Sequence, residues 1–225
     1  LDTSAHGGYN TAIGQEALGL GYGGSNVAVG YRALYRSSFA ADNNVAVGVN
    51  AGLDLTTGPG NVLIGRDAGK LMTTGDYNIA IGYQAADGMA GAANNNIAIG
   101  KNALGATTGV VQDCIAIGMQ TLYTQNSAAA INLAIGRNSG YNITSGTKNV
   151  LIGYAAGEAI VDDDHNTALG YNALKTATAG EGNTAIGSLA MGLGATTGSA
   201  NTCVGLQAGY DLTSGTSNVM VGKNS

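Results

Sequence analysis

The sequence predicts an all-β fold, a parallel β-solenoid of about 13 coils, from three observations. One phrase returns along the whole chain at intervals of 16 to 18 residues. The Gly that closes it never fails, and a small residue stands three positions beyond that Gly. Self-similarity at a fixed spacing marks stacked supersecondary units. This period is too short for a helix pair and below the usual leucine-rich repeat, but it suits one coil of a β-solenoid.

Counted from its leading Asn, the unit begins at Asn10, Asn26, Asn44, Asn61, Asn78, Asn96, Cys114 in place of Asn, Asn132, Asn149, Asn166, Asn183, Asn201 and Asn218. "NVAVG" and "NIAIG" alternate as a strand does, with Val27 and Val29 on one face and Asn26 and Ala28 on the other. The expectation is a strand buried on both sides. Its β-branched residues, Ile99 among them, turn into the coil, and a small face of Ala, Gly and Asn lets neighbouring chains approach. Stacked coils place like residues about 4.8 Å apart. The Asn column (Asn26, Asn44, Asn61, Asn78, Asn96, Asn149, Asn166 and Asn183 among its members) is therefore expected to form a ladder of side-chain amides along the stack. A slip of one residue would turn every Val and Ile to the wrong face, so the register is unique.

The spacing from Asn to the small residue, at Ala33, Ala51 and Ala68 for example, is constant, so insertions and deletions fall in the arc after it. The first arc reads as scaffold and the second as loop. Triplets such as Thr56 to Gly58 and Thr144 to Gly146 supply a turn before the next Asn.

The period runs without a linker, so residues 1–225 read as a single continuous repeat domain, a rod about 60 Å long at the strand spacing. With 38 Gly in 225 residues, one Phe and no Trp, the core is thin for a lone chain. Oligomerisation is the usual remedy, and a parallel homotrimer is expected. A net charge of −5 argues against nucleic acid and anionic membrane, which need a basic stripe. No apolar stretch approaches the roughly 20 residues of a spanning helix, so membrane insertion is not expected either. The chain opens on "LDTSAHGG" and stops within a coil at "NVMVGKNS", which reads as a fragment of a longer fibre protein. Cys114 and Cys203 fall five coils apart, roughly 24 Å along the stack, so they are read as small buried side chains rather than a disulfide.

"NVAVGYRAL", "NIAIGYQAA", "NTALGYNAL" and "NTAIGSLAM" resemble the head repeats of YadA-like trimeric autotransporter adhesins. They are still more similar to the longer repeats of phage tail fibres and related bacterial trimeric fibres. The resemblance covers essentially the whole chain. It implies a left-handed β-roll with three chains about one axis, placed outside the cell on a cell surface or in a virion tail fibre, and serving in attachment to a host or prey cell. The coils here are longer than the YadA-like ones, and the extra residues fall in the variable arc.

Little of the sequence points to catalysis. In "VDDDHN", Asp162, Asp163, Asp164 and His165 read as a solvated acidic loop, because no EF-hand or nonapeptide Ca²⁺ spacing accompanies them. "GLGYGG" at Gly19 to Gly24 lacks the strand–loop–helix unit of a dinucleotide site. Glu16, Asp54, Asp67, Glu158 and Asp211 lie on different coils rather than as a converging glycosidase pair. The expectation is a non-enzyme with no cofactor and no metal. Aromatics are more suggestive. Tyr31, Tyr83, Tyr154 and Tyr171 follow the motif Gly, whereas Tyr35, Tyr123, Tyr141 and Tyr210 stand nine residues after the coil start. Both columns are expected to face solvent, Asp87 with them. A Tyr ring with its polar tip suits sugars and protein surfaces. On the variable arc, Tyr35, Phe39, Tyr123, Tyr141 and Tyr210 are therefore the candidate contacts for a cell-surface glycan or envelope component. The alternative is a spacer shaft whose binding tip lies elsewhere. Ice binding is disfavoured because Thr pairs occur in only some coils.

Overall fold

The structure, a computed structural model, describes residues 8–20, 23–38, 40–128, 130–194 and 196–225. Among them it is an all-β parallel β-solenoid of thirteen short strands with no helix. Two compact units divide it, Leu1–Cys114 and Ile115–Ser225. The first holds β1 (Thr11–Ile13), β2 (Val27–Val29), β3 (Val45–Val47), β4 (Val62–Ile64), β5 (Ile79–Ile81) and β6 (Ile97–Ile99). The second holds β7 (Ile115–Ile117), β8 (Leu133–Ile135), β9 (Val150–Ile152), β10 (Thr167–Leu169), β11 (Thr184–Ile186), β12 (Thr202–Val204) and β13 (Val219–Val221). Within each unit every strand pairs in parallel, residue for residue, with the strand one coil on. Val45 lies opposite Val62 and Ala46 opposite Leu63 in the first unit, and Thr184 lies opposite Thr202 in the second.

The two faces of the strands reverse the expectation. Ala28, Ala46, Ala80 and Ala98 are at most 1% exposed and line the coil interior together with the Asn column. Val27, Val29, Ile97 and Ile99 point outward and are half-exposed, while Ile64 reaches 36% and Leu169 44%. Volume explains the inversion. A coil of this length closes around a narrow interior, and two β-branched side chains per level would overfill it.

The interior instead takes its bulk from the turn, at two positions that exchange. Eight residues past the coil start stand Leu34, Leu104, Leu122, Leu174 and Met191, all buried; the coils that carry Gly or Ala there bury Leu55, Met72, Met89, Ile143 or Ile160 three residues later. The exchange is steric as well as compositional. A Cβ on Gly52 would stand 2.7 Å from Leu63 Cδ1 and 2.9 Å from Leu34 Cδ2. The small residue just before them is fully buried at Ala33, Ala51, Ala68 and Ala103, as the spacing predicts.

The invariant Gly has its reason in the backbone. Gly82 has φ +135° and Gly100 φ +130°, a region open in practice to Gly alone, and a Cβ on Gly82 would meet the Gly100 carbonyl oxygen at 2.7 Å. The Asn column forms its ladder largely with the backbone. The Asn96 N–H donates to Asn78 Oδ1 at 3.0 Å, and Asn78 Nδ2 donates to the Ala93 carbonyl at 2.7 Å. In the second unit Asn149 N–H donates to Asn132 Oδ1 and Asn166 N–H to Asn149 Oδ1. Side-chain to side-chain bonds, such as Asn61 Nδ2 to Asn44 Oδ1 at 3.0 Å, join some rungs. Most of these buried amides thus satisfy peptide groups that the bend before the strand would leave unpaired, whereas Asn166 uses only its Oδ1, which accepts the Asn183 N–H.

Candidate functional site

With the small residues spent on the interior, the outward columns and the turns form the surface available for recognition. The column directly after the motif Gly is exposed: Tyr31 at 38%, Tyr83 at 42%, Tyr154 at 41% and Tyr171 at 53%. The column nine residues after the coil start is not. Tyr35, Tyr123, Tyr141 and Tyr210 are half-buried, which corrects the expectation that both columns face solvent. The Tyr35 ring lies over Gly19, whose missing Cβ makes the space, and the Arg32 guanidinium sits 5.4 Å from its centroid. Tyr123 and Tyr141 stack on each other with centroids 5.3 Å apart and planes 14° from parallel. Tyr210 lines a hollow of about 420 Å³ with Asp211, Leu212 and Met220. Phe39 lies outside the described residues.

The exposed column therefore carries the better aromatic surface. Tyr154 and Tyr171 stack at 5.4 Å on consecutive coils, and Arg137 stands 5.9 Å from the Tyr154 centroid. In the first unit Tyr83 lies between Arg66 and Lys101, each 5.9 Å from its centroid. The constant coil spacing generates these contacts, since residues one period apart stand one rung apart. For this column the expected exposure to solvent is what the structure shows.

Carboxylates pair with bases. Glu16 bonds Arg32 at 2.6 Å, Asp54 meets Arg36 at 3.0 Å and Glu158 meets Lys175 at 3.6 Å, each one coil along. Asp67 faces Arg66, Lys70 and Asn50. Asp87, expected on the solvated arc, is half-buried with Oδ1 unpartnered. Burial pushes its carboxyl above the ordinary value; Lys70 pulls against the shift and Asp67 adds to it. The acidic run diverges. Asp163 turns inward and accepts the Gly180 N–H at 2.8 Å, Asp164 accepts the Thr147 N–H and hydroxyl, and Asp162 is exposed. Among the described residues no three His, Cys, Asp or Glu side chains gather to hold a metal. Cys114 and Cys203 are buried and are not joined in a disulfide, and burial pushes the Cys203 thiol up. Thr56, Thr124, Thr176 and Thr196 spend their hydroxyls on carbonyls one coil on, which leaves no flat array of free hydroxyls at those turns. No helix among the described residues is long and apolar enough to cross a membrane.

What fold and surface define together is a parallel β-solenoid with a narrow polar-and-alanine interior, an aliphatic outer strand face and an exposed tyrosine column. Comparison of the chain with family models, with characterised proteins and with solved structures finds no match.

Proposed function

We propose that this chain is a non-catalytic segment of an extracellular fibre, in which three parallel copies associate and the assembly attaches a cell or virion surface to a host or prey cell or its glycans. The observation that carries the reading is the outward aliphatic face. Strands about 4.8 Å apart and three residues long each offer about 50 Å² of projected area. The six strands of the first unit thus carry about 300 Å² and the seven of the second about 350 Å². Counted on both partners, each unit by itself removes about 600 to 700 Å², a large part of the roughly 1,000 Å² of a specific interface. Such a face left in water is rare on a monomer. The revised geometry thus moves the expected chain-to-chain contact from the small-residue face to the Val and Ile face. Attachment itself rests on the exposed tyrosines, Tyr154 and Tyr171 with Arg137 foremost, where three symmetry-related copies add avidity to weak single contacts.

A spacer shaft is the second reading. Uniform three-residue strands in constant register and the packing of Tyr35, Tyr123 and Tyr141 favour it. A glycan and whole-cell binding screen separates the two. Attachment predicts binding that weakens in Tyr154→Ala and Tyr171→Ala and is less affected by Tyr123→Ala or Tyr141→Ala. Binding to nothing leaves the spacer.

A further inference from the structure

The outward face of the second unit changes character along its length. Its first column reads Ile115, Leu133 and Val150 on β7 to β9, then Thr167, Thr184 and Thr202 on β10 to β12, while the second column stays aliphatic there with Leu169, Ile186 and Val204. Register sets Thr167 opposite Thr184 and Thr184 opposite Thr202, so three hydroxyls form a row about 4.8 Å apart. The turn threonines donate to carbonyls of the next coil. The hydroxyls of these three make no hydrogen bond within the chain among the described residues.

We propose that Thr167, Thr184 and Thr202 fix the direction and register in which copies of this chain pack against one another. The inference rests on the self-association proposed above. The partner is a second copy running parallel and level. With the rotation axis running along this first column, Thr meets Thr across the interface and each hydroxyl can both donate and accept, while Leu133 and Val150 meet their own aliphatic counterparts. Antiparallel pairing of the unit sets β8 against β12 and β9 against β11. That buries Thr202 against Leu133 and Thr184 against Val150, and leaves hydroxyls unsatisfied in a dry interface. A slip of one coil sets Val150 against Thr167 and Thr202 against Val219. Polar residues inside an apolar seam select register in this way in coiled coils, with some loss of stability.

The test uses the whole chain with a nitroxide on Glu181→Cys, an exposed position, while both native thiols stay buried. Light scattering gives the mass, and pulsed dipolar spectroscopy gives the distance between labels on different copies. The wild-type background is expected to show an assembled mass and one narrow distance. The triple variant Thr167→Val, Thr184→Val, Thr202→Val is expected to stay assembled, melt higher and lose the single narrow peak. Thr184→Val alone should broaden the peak and Thr184→Ser should keep it, which covers a triple variant that fails to fold. An assembled Val variant that keeps the same narrow distance overturns the role of the threonines. A wild-type chain of single-chain mass overturns the self-association beneath it.

Discussion

Each strand shows two faces that hydrophobicity would sort one way and the structure sorts the other. The inner face carries Asn and mostly Ala, with Leu63, Leu151 and Cys203 as exceptions, and the outer carries Val, Ile, Leu or Thr. In the first unit Ala98 is 1% exposed while its neighbour Ile99 is half out in solvent. In a coil this narrow, volume and amide satisfaction decide what goes inside. One large residue from the turn and a column of hydrogen-bonded Asn fill the interior, and aliphatic area is left over for contact outside.

The comparison breaks most visibly by exchange of a charge between faces. Ala98→Glu places an unpaired carboxylate in the coil and is expected to cost more than about 4 kcal/mol, read as loss of the β signal in circular dichroism. Gly82→Ala comes next. Its φ of +135° and the close Gly100 carbonyl predict a loss of about 3 kcal/mol in chemical denaturation. Asn78→Ala strands the Asn96 N–H and the Ala93 carbonyl and should cost about 2 kcal/mol by the same measurement.

Much of this was legible before any coordinates. The period, the parallel register, the Asn column, the obligate Gly and the buried small residue at Ala33 or Ala103 all follow from spacing. Alternation along "NIAIG" defines two faces but carries no sign, and assigning the sign from hydrophobicity placed Ile99 inside. The corrective signal lay further along the coil. Leu104 is followed by Thr107 three residues later, whereas Gly52 is followed by Leu55, so each coil takes one large residue from its turn; a large residue on the strand, Leu63 or Leu151, is accommodated where the first turn position is Gly69 or Gly157. At the surface both tyrosine columns were visible. The stacking that buries the ring faces of Tyr123 and Tyr141 depends on side-chain direction, which spacing does not fix.

The smallest expected effect sharpens the boundary between the faces. Asp87 has a raised carboxyl pKa in the folded chain, so the folded state holds its proton more tightly than the unfolded state does. Its contribution destabilises as pH rises from the ordinary value of 3.8 through the raised value, and vanishes below 3.8. Asp87→Asn should therefore raise the melting temperature slightly at pH 7, and the gain should disappear below that lower limit.

The central claim is that the aliphatic face lies outside the coil and holds copies together. Its most direct test is the light-scattering mass, with circular dichroism, of the chain carrying Ile64→Glu and Ile99→Glu on alternate rungs. The account predicts that the unsubstituted chain has about three times its 22.2 kDa mass and that the double variant falls to the single-chain mass with its β signal retained. An unchanged mass in the variant, or loss of the β signal of the kind predicted for Ala98→Glu, would contradict it.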